Sequence, residues 1–220
     1  MENPRMTRKT SPPGQRTRGR PGAEDSTDVR SDILNAAEHL FATQGFAPTS
    51  IREIAGQVGV NPAMVHYYFG SKKKLLRAVM DRVLDPLAES IQSLSRRRPF
   101  DVTAYISLLF TLVSEHPYLP QLIAREVFLS GGEMHQQFVA NFAPRLGGLL
   151  PGILGHEQEE DRMAGDLDPN VTAMLILSMC FFPFIARPVT EKTLNVSYKP
   201  RGLDKIARHI DRILKQGIGT

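Results

Sequence analysis

Tryptophan is missing from the 220 residues and cysteine occurs once. A single thiol, Cys180, cannot close a disulfide within the chain, so a reducing, cytoplasmic setting is expected. There is no HExxH, no GxSxG, no Walker A loop and no Cys/His set at metal-binding spacing, so neither an enzyme nor a cofactor or metal is expected. No apolar run reaches the roughly 20 residues that span a bilayer. The longest, Val171 to Ala186, contains Pro183 and reads as a buried helix, leaving no membrane partner. The basic N-terminus has no apolar stretch behind it, which argues against a secretory signal. No segment alternates with period two and no repeat is visible, which leaves an all-α fold.

What is present is unevenly charged. Residues 1–80 hold 12 Lys/Arg against 7 Asp/Glu, while the other 140 hold 15 against 16. A basic end on a near-neutral body points to a polyanion partner at that end. Residues 1–26 are rich in Pro, Gly, Arg, Ser and Thr and carry too little apolar surface to offset ordering entropy, so they read as a disordered basic arm.

From Asp28 the pattern becomes helical. Ile33, Leu34, Ala37, Leu40 and Phe41 share one face, and Gly45 suits a C-terminal cap. Ser50 and Glu53 form a capping box, Asn61–Pro62 opens another helix, and Ser71 caps a longer one that Pro86 interrupts. Further helices are expected over 101–115, 119–131, 134–150, 169–185 and 203–216, with 155–168 as an acidic loop. In that loop His156, Glu157, Glu159, Glu160 and Asp161 are either solvated or a cation site.

Two short helices flank Gln57–Val60, with Gly59 in the turn and the small Ala55 where they cross. This is the layout of a helix-turn-helix, or of two helices that merely pack. If it reads DNA, Val65 and Phe69 point inward, and His66, Tyr67 and Tyr68 remain available to phosphates or bases. Lys72 lies just past a helix N-terminus, itself suited to anions.

The stretch Ala36–Leu76, AAEHLFATQGFAPTSIREIAGQVGVNPAMVHYYFGSKKKLL, resembles the TetR/AcrR family of bacterial transcriptional regulators over about a fifth of the chain. The resemblance implies a helix-turn-helix domain over residues 27–87, followed by a helical effector-binding and dimerisation domain over 88–220. It places Ser50, His66, Tyr68 and Lys72 where the family touches backbone phosphate, and Arg52, Pro62, Ala63, Met64 and Tyr67 where it reaches base edges. His66 replaces a frequent Tyr, and Lys73–Lys74 replace a common acidic pair.

The same resemblance implies a homodimer through helices 169–185 and 203–216, reading a near-palindromic double-stranded operator, and a small-molecule effector. Leu203, Ile206, Ala207, Ile210, Ile213 and Leu214 make the apolar stripe such a helix needs. Phe110, Phe128, Met134, Phe138, Phe142, Met174 and Met179 are either pocket walls or ordinary core, with His116 and Arg125 as candidate polar anchors. Cys180 is either an inert core thiol or a redox sensor.

The expected function is a repressor released by a largely apolar ligand. An effector-independent architectural DNA-binding protein and a helical enzyme with a DNA-binding end are the alternatives. Arg18 and Arg20, in the segment RTRGRPG, either enter an A·T-rich minor groove or act as a simple electrostatic tether.

Overall fold

The computed structural model describes residues 23–129 and 132–217, so the expectations for the N-terminal arm, including Arg18 and Arg20, lie outside the described residues. Every regular element among the described residues is helical. The first four are α1 (Ala23–Thr43), α2 (Ile51–Val58), α3 (Pro62–Phe69) and α4 (Lys72–Ser95).

Helix α1 buries Ile33, Leu34, Ala37 and Phe41, and Gly45 reverses the chain behind it at φ +101°, a region that favours glycine. Helix α4 runs unbroken past Pro86. Its buried stripe passes from one core to a second: Leu75, Leu76, Val79, Met80, Val83 and Leu84 join α1–α3, whereas Leu87, Ile91 and Leu94 join the C-terminal helices.

Those helices are α5 (Val102–Glu115), α6 (Leu119–Ile123) continued by a π-helical turn (Ala124–Phe128), α7 (His135–Asn141), α8 (Ala143–Leu146), α9 (Leu150–Glu159), α10 (Pro169–Ile185), α11 (Arg187–Thr193) and α12 (Pro200–Gly217). The core around α1–α4 is not built from the N-terminal segment alone: Leu119, Leu122, Ile123, Val127, Met134 and Phe142 complete it.

Several expected boundaries move. The span 119–131 contains the π-helical turn, closed by the Leu129 N–H donating to the Ala124 carbonyl at 3.1 Å. The span 134–150 breaks around Pro144 into α7 and α8. The expected loop at 155–168 is helical as far as Glu159, because Glu157 turns inward. It accepts from Arg162 at 2.7 and 3.2 Å and from the Phe100 N–H at 3.3 Å. Helix α11 falls where no element was expected.

Helix α10 buries Thr172, Ala173, Ile176, Cys180 and Phe184 at helical spacing, but Val171, Met174, Leu175 and Phe182 on its other side are half-exposed or more. Helix α12 buries Ile210 and Leu214 and leaves Ile213 exposed. No single described helix is long and apolar enough to cross a membrane.

Candidate nucleic-acid interface

The reading unit is assembled by local caps. Ser50 Oγ accepts the Glu53 N–H at 3.1 Å while Glu53 Oε2 accepts the Ser50 N–H at 2.7 Å, completing the capping box and holding the Glu53 carboxyl below its ordinary range. Gly59 ends α2 at φ +74°, and Val60 N–H donates back to the Ala55 carbonyl at 2.9 Å. Asn61 Oδ1 accepts the Ala63 N–H at 2.8 Å, so α3 starts at Pro62 with its first donor satisfied. Ala55, fully buried in α2, belongs to the same core as Val65 of α3.

Helix α3 then splits by face as its spacing requires. Val65 and Phe69 are buried, whereas Ala63, His66 and Tyr67 are exposed and Pro62, Met64 and Tyr68 are partly so. Tyr67 is 75% exposed, with its ring edge-on to Tyr68 at 5.3 Å. Ser50 and Arg52 lie exposed at the start of α2. His66 Nδ1 lies 3.1 Å from the Gly70 carbonyl, which can only accept. Nδ1 is therefore the protonated nitrogen in that contact, and Nε2 is left as an acceptor when the ring is neutral.

Lys72, expected at a phosphate, has its ammonium engaged within the chain. Its ammonium donates to the carbonyls of Phe46, Ala47 and Thr49 at 2.8, 3.1 and 2.9 Å, and lies 4.4 Å from the centre of the Phe46 ring. Three carbonyls match the three donors of the ammonium, so Lys72 holds the loop before α2. Lys73 is also engaged, 2.7 Å from Glu133.

The residues named as pocket candidates are spread over both cores and the surface. Met134 and Phe142 are buried in the first core with Phe138 beside them, while Phe110 lies in the second core, edge-on to Phe184 at 5.0 Å. Met179 packs at the margin of that second core. Phe128 and Met174 are 60% and 56% exposed. His116 and Arg125 reach across to α1: His116 Nδ1 is 3.3 Å from Glu38, and Arg125 donates to the Ala42 carbonyl at 3.3 Å.

A small cleft of about 100 Å³ opens instead among α5, α6, α10 and α12, lined in part by Val113, Ser114, Gln121, Phe184, Arg187 and Tyr198. In the second core, the Tyr105 hydroxyl is fully buried without a hydrogen-bond partner. Burial holds that phenol well above its ordinary range, and pushes the Cys180 thiol up to about 12, the environment of an inert thiol.

Sequence reasoning missed the buried carboxylate of Glu38, which takes Arg82 at 2.8 Å as well as His116. A signal existed, since Glu38 stands four residues after Leu34 and three before Phe41 on the apolar face of α1.

Capped short helices, a left-handed turn glycine and an exposed second helix define a helix-turn-helix DNA-binding protein. Residues 33–79 match the model for bacterial regulatory proteins of the tetR family, and residues 106–219 match the C-terminal domain of the HTH-type transcriptional dual regulator CecR. The chain belongs to the tetR family of transcriptional regulators. Among similar proteins, the HTH-type transcriptional repressor NicS of Pseudomonas putida is 26% identical over 166 residues, covering 73% of this chain and 77% of that protein. The fold resembles that of KstR2, a ketosteroid transcriptional regulator of Mycobacterium tuberculosis, with TM-score 0.71 and 17% identity over 87% of this chain and 95% of that one. It also resembles NalD, the secondary repressor of the MexAB-OprM multidrug efflux pump in Pseudomonas aeruginosa, with TM-score 0.66 and 20% identity over 89% and 98%.

Proposed function

We propose that this chain is a cytoplasmic, homodimeric repressor that leaves a near-palindromic operator when a small, largely apolar ligand binds its C-terminal domain. The observation that carries the reading is α3, which buries Val65 and Phe69 while offering Ala63, His66 and Tyr67 outward beside Arg52. In this reading Arg52, Pro62, Ala63, Met64 and Tyr67 meet base edges, and Ser50, His66 and Tyr68 meet phosphates. The apolar outer stripe of α10, with Ile213 of α12, supports pairing of two copies, since such a surface is rarely left to water.

The Tyr105 hydroxyl supports an uncharged effector carrying a hydrogen-bond acceptor. A buried donor without a partner costs roughly 1–3 kcal/mol, which a ligand oxygen would recover. A ligand favouring the state with mis-spaced reading heads shifts the dimer off DNA.

Selection from a randomised duplex library tests the reading: two inverted half-sites should be enriched. Binding without any enriched sequence would make the protein architectural. Thermal-shift screening with apolar compounds should then find ones that raise the melting temperature and weaken operator binding together.

A further inference from the structure

Glu126 is a carboxylate only 6% exposed, on the π-helical turn of the C-terminal domain, where reading DNA gives it no evident task. Its Oε1 accepts the N–H of Phe46, 80 residues away, at 3.0 Å, and its Oε2 accepts the Glu133 N–H at 3.4 Å. Phe46 opens the loop that leads into α2. The same peptide segment is held from the opposite side, where Lys72 takes the Phe46 carbonyl. The loop thus has a carboxylate on a donor and an ammonium on its acceptors, both charge-assisted.

The neighbours of Glu126 tie the turn to both sides. Arg125 donates to the Ala42 carbonyl at the end of α1. It packs so close to Gly45 that a Cβ there would lie 3.3 Å from its side chain. On the far side, Phe128 meets Phe181 of α10 edge-on at 5.7 Å. The backbone behind is tight: Met134 N–H donates to the Glu126 carbonyl at 3.0 Å, and a Cβ on Gly132 would come within 2.3 Å of that oxygen. A turn fixed this closely moves as a unit with the loop it holds.

We propose that Glu126 is a positioning residue for DNA recognition, its carboxylate setting where the loop before α2 stands and carrying displacements of α10 to the reading head. The positioning itself follows from the contacts above. The coupling to α10 rests on the reading of the chain as a ligand-released regulator.

The test compares the full-length protein with Glu126→Gln, Glu126→Asp and Glu126→Leu. Hydrogen exchange at the Phe46 amide should speed up about tenfold or more in Glu126→Leu and stay slow in Glu126→Gln, which keeps an acceptor oxygen. The ratio of operator to mixed-sequence duplex affinity should fall about tenfold in Glu126→Leu and recover in Glu126→Gln, because phosphate contacts remain while half-site spacing is lost. A general loss of stability would weaken both duplexes alike. If Glu126→Leu does not fold, Glu126→Asp, one methylene short, should show the same changes at smaller amplitude. Unchanged Phe46 exchange, or an unchanged affinity ratio, in the folded variant overturns the proposal. If the wild-type protein enriches no operator, the functional reading has failed, and the exchange experiment still decides whether Glu126 positions the loop.

Discussion

The Lys72 ammonium lies 2.8 Å from the Phe46 carbonyl oxygen and 4.4 Å from the centre of the Phe46 ring. A residue at the start of α4 therefore holds the loop before α2, so the reading unit is fixed from inside as well as by its own caps.

Lys72→Met should separate this role from phosphate binding. Losing three charge-assisted hydrogen bonds from a part-buried site should cost about 2 kcal/mol of stability, read by chemical denaturation. The slope of log affinity against log salt should stay near the wild-type value. A slope reduced by roughly 0.9 per subunit would instead show that Lys72 neutralises a phosphate.

Arg52→Ala should relax base preference by about 1–3 kcal/mol at one position of each half-site, as expected for loss of a bidentate guanine contact. Tyr68→Phe should weaken operator and random duplex equally. Repeating the library selection with each variant measures both effects. An unchanged preferred sequence with Arg52→Ala would remove that residue from base reading.

Tyr105→Phe should stabilise the ligand-free protein by about 1 kcal/mol, because it removes a buried hydroxyl that has no partner. The same variant should bind an acceptor-bearing effector less tightly. A lower melting temperature without ligand would show that the hydroxyl is satisfied in solution.

Stability should decline as pH falls through the acidic range. The hydrogen bond from Arg162 holds the Glu157 carboxyl below its ordinary 4.5, and the backbone N–H of Val171 leads those that hold Asp168 below 3.8. Each depressed group stabilises the fold fully above its unfolded value and loses that contribution as pH drops through its lower folded value. Glu157→Gln should therefore lower stability at neutral pH and flatten the acid limb below about 4.5, as measured by urea unfolding at a series of pH values.

Contacts between near neighbours were legible before any fold was known. The Ser50–Glu53 box, the Asn61–Pro62 start and the Gly59 turn each involve residues within five positions, so local chemistry alone specifies them. The split of α3 into a buried Val65–Phe69 edge and an exposed His66–Tyr67 edge follows from helical period. Tertiary structure decided what depends on distant partners. Lys72 reads as a free cation until the fold brings the carbonyls of Phe46, Ala47 and Thr49 to it across 23 to 26 residues. Glu126 reads as one more polar residue until Phe46, 80 positions earlier, presents its N–H. Phe128 and Met174 are apolar yet stand exposed, because apolarity specifies that a side chain prefers burial and not which surface will cover it.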